Sequence, residues 1–116
     1  MRDDVVRVVE SYLQALEAGD LSDVPLHPDV EWEGPLGHSI KGATMLRATL
    51  SVLSSIVTRV TVIRHIVERE WCATLFELST AQGVVSVFDS FQVIDGQITS
   101  IRVFLDRYPN PNLAAL

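Results

Sequence analysis

The run VVSVFDSFQVIDG, residues 84–96, decides the fold. Successive side chains of a strand point to opposite faces, so Val85, Val87, Asp89, Phe91 and Val93 share one side. Ser86, Phe88, Ser90, Gln92 and Ile94 share the other. The run closes on Asp95-Gly96, a two-residue pair suited to the left-handed backbone of a tight hairpin, and QITSIRVFL, residues 97–105, resumes as a strand. A long antiparallel hairpin is therefore expected here. Its inner face is apolar at every position except Asp89.

Upstream, residues 58–67 and 71–79 read as two more strands, the second joined to the hairpin by the turn AQG. Before them, residues 43–56 place Met45, Leu46, Thr49, Leu50 and Leu53 on one stripe of a helix. Residues 29–33 alternate, with Val30 and Trp32 inside and Glu31 and Glu33 outside, as a half-buried strand does. GPLGHSIKG after it reads as a turn region, and DLSDVPLHP before it as a short helical turn broken by Pro25 and Pro28. Residues 3–18 repeat Val5, Val9, Tyr12, Leu13 and Leu16 at helical spacing. Asp3 and Asp4 suit the start of that helix electrostatically, and Gly19 suits its end.

Helix, strand and helix followed by four longer strands give an α+β protein. The expected architecture is a cone-shaped, curved antiparallel sheet with helices packed on its concave face, enclosing a pocket. The 116 residues make one domain, residues 1–116. Apolar residues are 47% of the chain, enough for a packed core. The formal charge is −6 and the nine Lys and Arg residues are scattered, which argues against nucleic acid and anionic membrane surfaces as partners. No segment approaches the roughly 20 apolar residues of a membrane span. The one cysteine, Cys72, cannot close a disulfide within the chain, and cytoplasmic residence is expected.

Three side-chain groups can carry chemistry. Asp89 is a carboxyl on an apolar strand face. An ionised, unpaired carboxylate is costly there, so burial favours the neutral acid, which can donate a hydrogen bond to a developing oxyanion. The alternative is a structural acid bonded to a backbone amide or an arginine. Tyr12 stands among aliphatic residues on the first helix. Either it fills the core with its hydroxyl near water, or it points into a cavity. Asp106, in RVFLDRYP, ends the last strand and can face the mouth of the cone or cap a turn. The three histidines, His27, His38 and His65, lack metal-ligand spacing, and no metal or organic cofactor is implied. Of these, His38 lies closest to a cavity rim, and His65 shares a strand face with Ile63 and Val67.

These residues resemble the nuclear transport factor 2-like superfamily, in particular its ketosteroid isomerase and SnoaL-like polyketide cyclase branch. The likeness runs from YLQALEAGD through HPDVEWEGPLGHSIKG to SFQVIDGQITSIRVFLDRYP. Tyr12 precedes Gly19-Asp20 at the spacing of the isomerases' oxyanion-hole tyrosine. Asp89, a few residues before the hairpin turn, resembles their protonated oxyanion-hole acid. Their general base is an aspartate directly before Pro-x-Gly, and here Gly34 stands before Pro35-Leu36-Gly37. Glu33 is one residue away and on the opposite strand face, so the base is missing or moved, with Asp106, His38 or His65 as substitutes. Asp106 in Leu105-Asp106 also resembles the acid of the Phe-Asp pair of SnoaL-like and limonene epoxide hydrolase-like proteins. The arginine and aspartate two apart that the epoxide hydrolases use have no counterpart at Arg69 and Trp71.

The resemblance implies an enzyme acting on a small apolar carbonyl compound through an enolate-like oxyanion. Tyr12, Asp89 and Asp106 are the expected catalytic residues. Trp32, Gly34, His38, Phe91 and Phe104 are the expected ligand contacts, and the protein is expected to form a homodimer. The competing expectation is a ligand-binding or dimerising module of the same fold without catalysis.

Overall fold

A computed structural model of the chain describes residues 2–105. The expected hairpin is its centre: β5 (Gly83–Ile94) pairs antiparallel with β6 (Gln97–Leu105). Asp95 and Gly96 take φ of 52° and 77°, the left-handed pair that matches strand twist in a two-residue turn. β4 (Trp71–Thr80) pairs with the other edge of β5, and β3 (Arg59–Glu68) pairs with β4, both antiparallel.

On the far side of the hairpin, β1 (Leu26–Glu33) lies parallel to β6, and β2 (Ser39–Lys41) lies antiparallel to β1. The sheet order is β2-β1-β6-β5-β4-β3. The sheet is thus mixed, where the sequence reading gave an antiparallel one. No hairpin turn joins β1 to β6, so no turn dictates their relative direction. Their pairing instead sets Trp32 beside Ile101 on the buried face. β2 falls within the run read as a turn, because three residues are too few to show alternation. Pro28 lies inside β1 and does not break a helical turn. It sits where the β1–β6 register shifts, between Leu26 and Glu31, a place where a missing N–H costs no ladder bond.

Two helices cover the inner face of the sheet. In α1 (Arg2–Ala18), Val5, Val9, Tyr12, Leu13 and Leu16 are all buried, as their spacing requires. Gly19 ends the helix at φ 81°, its N–H donating to the Ala15 carbonyl at 2.8 Å. In α2 (Ala43–Ser54) the buried positions are Leu46, Leu50 and Ser54. Met45, placed on the inner stripe by spacing, is exposed. The packed stripe is narrower than the apolar one. The Arg47 guanidinium anchors α2 by donating to the carbonyls of Leu21 and Val24, each at 3.0 Å. The Glu17 carboxylate accepts the Val60 N–H at 2.7 Å and ties α1 to β3.

Register shifts within β3 (between Val62 and Arg64) and at the end of β5 (between Gln92 and Val93) mark bulges, which bend a sheet around what it covers. The first bulge turns Ile63 out to solvent while His65 and Val67 stay inward, so Ile63 does not share their face. The residue facing the helices from the middle of β5 is Asp89.

Candidate functional site

Between the helices and the sheet lies a cavity of about 410 Å³, within the size range of small-molecule sites. Its walls are apolar: Leu16 from α1, Leu50 and Leu53 from α2, Phe76 and Leu78 from β4, Val85 and Val87 from β5, and Val103 and Leu105 from β6. Tyr12, Trp32 and Asp89 are its buried polar members. His38, Ser39, Thr49 and Thr80 also line it and are exposed or half-buried, so they mark its open end.

Strand alternation delivers Asp89 to this cavity. Val85, Val87, Phe91 and Val93, on the same face, are buried, and Asp89 itself is 2% exposed. Its cross-strand neighbours are Thr74 on β4 and Val103 on β6. Burial holds its carboxyl well above the usual carboxylate range, so the neutral acid is favoured. Helical spacing delivers Tyr12, also 2% exposed. Burial raises its phenol well above the ordinary value, charge on Asp89 raises it further, and the approach of the Trp32 indole N–H, a hydrogen-bond donor, opposes both. Two neutral O–H groups therefore share one apolar cavity.

Among the described residues, Asp89 Oδ1 is a buried side-chain polar atom without a hydrogen-bond partner, and the Trp32 indole N–H lies toward the Tyr12 phenol without completing a hydrogen bond to it. Leaving such a group unpaired costs about 1–3 kcal/mol. Both belong to residues lining the cavity. The indole N–H can only donate, and the neutral acid can donate as well. A ligand oxygen that accepts hydrogen bonds suits both.

The sequence reading is met unevenly. Tyr12, Asp89, Trp32 and His38 come together on one cavity. Phe91 is fully buried but packs edge-on against Tyr12, ring centres 5.2 Å apart, behind the cavity wall. It supports a site residue and is not part of the lining. Phe104 is on the outer face, because Val103 and Leu105 take the inner one, and it lies under the Arg102 guanidinium at 5.7 Å. Gly34 is outside the cavity too. A Cβ added there would collide with the Trp32 indole ring, so its lack of a side chain is what lets Trp32 seat. Asp106 lies outside the described residues.

Glu33 stays outward, as alternation requires, and accepts from Arg102 at 2.9 Å. No described carboxylate other than Asp89 lines the cavity. His65 does not line it; its ring is held by Thr74 and Glu10. Two features escaped the sequence reading: the buried Trp32 N–H beside the Tyr12 phenol, and Thr74, a wholly buried hydroxyl beside Asp89. Pairing register is the signal that reveals Thr74, and it cannot be read before the strands are aligned.

No curated protein matches the sequence significantly. Solved structures match closely in shape at low identity. A nuclear transport factor 2-like protein of unknown function from Burkholderia xenovorans LB400 aligns with TM-score 0.81 and 18% identity, over 98% of this chain and 92% of its own. A protein described as a SnoaL-like polyketide cyclase, from Jannaschia sp. CCS1, gives 0.78 and 20%, over 90% of this chain and 86% of its own. A steroid delta-isomerase from Pseudomonas aeruginosa gives 0.75 and 18%, over 90% of this chain and 80% of its own. At such identities the likeness is one of fold, and a fold hosts many chemistries. Residues 1–108 match the family described as a domain of unknown function, DUF4904. That match spans all but the last eight of the 116 residues, so the protein belongs to the DUF4904 family, built on the nuclear transport factor 2-like fold.

Proposed function

We propose that the cavity takes a small, largely apolar carbonyl compound and that the protein is an enzyme stabilising an enolate-like oxyanion there. The observation that carries this reading is the unpartnered, buried Asp89 Oδ1 on one apolar cavity with the Tyr12 phenol and the Trp32 indole. A carbonyl oxygen gains negative charge as its α-proton leaves. Neutral donors already fixed in a water-poor site stabilise that charge without reorganising. Asp89 and Tyr12 serve as the donors, with Trp32 as a third. The proton is taken by His38 on the cavity wall, or by Asp106 as the resemblance implies. The apolar walls select the carbon skeleton.

The test is exchange of α-protons of planar cyclic ketones in heavy water, followed by NMR. The wild type is expected to accelerate exchange, and Asp89→Leu to lose on the order of 100-fold or more of that rate. Equal rates for the two proteins would rule the mechanism out.

A specific observation favours a second reading, a non-catalytic ligand-binding module. Glycine occupies the position where the isomerases carry their base, and Glu33 beside it is committed to Arg102. A wild type that binds the ketone but exchanges no protons would establish this reading. In either case we propose a homodimer formed through the outer sheet face, where Leu75, Phe88 and Phe104 leave an apolar strip partly open. Sedimentation as a monomer at micromolar concentration would contradict it. A reducing, cytoplasmic setting suits the single, buried cysteine. No described helix is long and apolar enough to cross a membrane.

A further inference from the structure

A line of polar side chains crosses the otherwise apolar inner face of the sheet. It begins at Glu10 on α1, whose side chain is 47% exposed. Glu10 Oε2 is 3.3 Å from His65 Nε2, and His65 Nδ1 is 2.8 Å from Thr74 Oγ1. Thr74 is fully buried and is the cross-strand partner of Asp89 on the same face. Directly opposed residues hold their Cβ atoms about 5 Å apart. His65 holds the Thr74 hydroxyl on the side of β3, so the movement that joins the two is rotation of the Asp89 carboxyl toward it. That last link is open in the structure, since Asp89 Oδ1 has no partner.

We infer that Thr74 and His65 carry a proton between Asp89 in the cavity and Glu10 at the surface. This rests on the reading of Asp89 as a buried neutral acid, and it gives that acid a route by which to exchange its proton with the surface. The transfer balances within the chain. The Asp89 O–H passes its proton to Thr74 Oγ1 while the Thr74 hydroxyl proton moves to His65 Nδ1. His65 then gives its Nε2 proton to the Glu10 carboxylate, which releases it to water. A hydroxyl can relay in this way because it accepts and donates at once. Imidazole suits the middle of the path because its two nitrogens exchange protons on opposite sides of the ring. Thr74 and His65 are positioning residues that act through Asp89. The other titratable groups against the path are Tyr12 from α1 and Cys72 from β4. Cys72 Sγ lies 3.4 Å from Thr74 Oγ1 and 3.7 Å from His65 Nδ1. β6 contributes Val103, which does not titrate.

The experiment is an NMR titration of isotope-labelled protein, following the Asp89 carboxyl carbon and the His65 ring nitrogens together. In the wild type, the Asp89 resonance is expected to show a step at the pH where His65 changes charge. Thr74→Val keeps the shape but removes the hydroxyl, and the step should vanish. Thr74→Ser should restore it. Thr74→Ala, which also lacks the hydroxyl, should abolish it too, which covers a Thr74→Val protein that fails to fold, and His65→Gln serves as the blank. A step that persists in Thr74→Val, or its absence from the wild type, would overturn the relay. Binding of a planar phenol to the same samples separates this outcome from the functional reading. A wild type that shows the step but binds no phenol keeps the relay and removes the ligand site.

Discussion

Replacing Asp89 with asparagine is expected to flatten the pH dependence of stability. The carboxyl of Asp89 ordinarily titrates near 3.8, and burial raises it well above that in the folded protein. The folded state then holds a proton that the unfolded state has released. Stability from this group is complete below the unfolded value and is lost as pH rises through the folded one. Between the two values the loss is about 1.4 kcal/mol per pH unit. Denaturant midpoints measured over a pH series should therefore fall more steeply for the wild type than for Asp89→Asn. Tyr12 adds a similar loss only in the alkaline range, since its raised value starts from 10.0. Parallel curves for the two proteins would mean that Asp89 titrates normally in the fold, and the neutral-acid account would be wrong.

The second large effect concerns Phe91. It has no exposed surface, and its ring meets Tyr12 edge-on. Phe91→Ala removes a whole core ring and leaves a cavity that the surrounding strands can only partly close. The expected cost is about 3–5 kcal/mol, measurable by urea unfolding. That is a large share of the total stability of about 5–15 kcal/mol for a domain. On the proposed function the change also weakens phenol binding, because Tyr12 loses the wall that fixes its ring. A loss under about 1 kcal/mol would place Phe91 in open space, as a ligand contact and not a packing residue.

The parts of this protein that were legible in the sequence are those governed by one short period. Two-residue alternation fixed the faces of β5, down to Asp89 on the inner side, and helical spacing fixed Tyr12 on the inner face of α1. Asp95-Gly96 located the hairpin, because few other pairs accept two successive left-handed residues. What stayed hidden depends on partners distant in sequence. The parallel docking of β1 on β6 has no turn to announce it. The resemblance places Phe104 among the ligand contacts, whereas alternation from Val103 puts it outside. Gly34 reads as a missing base until the Trp32 ring is seen filling its space. The path through Thr74 and His65 requires two strand registers at once.

The central claim is that Asp89 lends a hydrogen bond to a ligand oxygen in the cavity. Calorimetric binding of a planar phenol, an enolate mimic, to the wild type and to Asp89→Leu tests it most directly. The account predicts measurable binding by the wild type and a Kd raised about 10- to 100-fold in Asp89→Leu, the worth of one desolvated hydrogen bond of about 1.5–3 kcal/mol. Equal affinity in the two proteins, or no binding by either, would contradict it and leave Asp89 a structural acid.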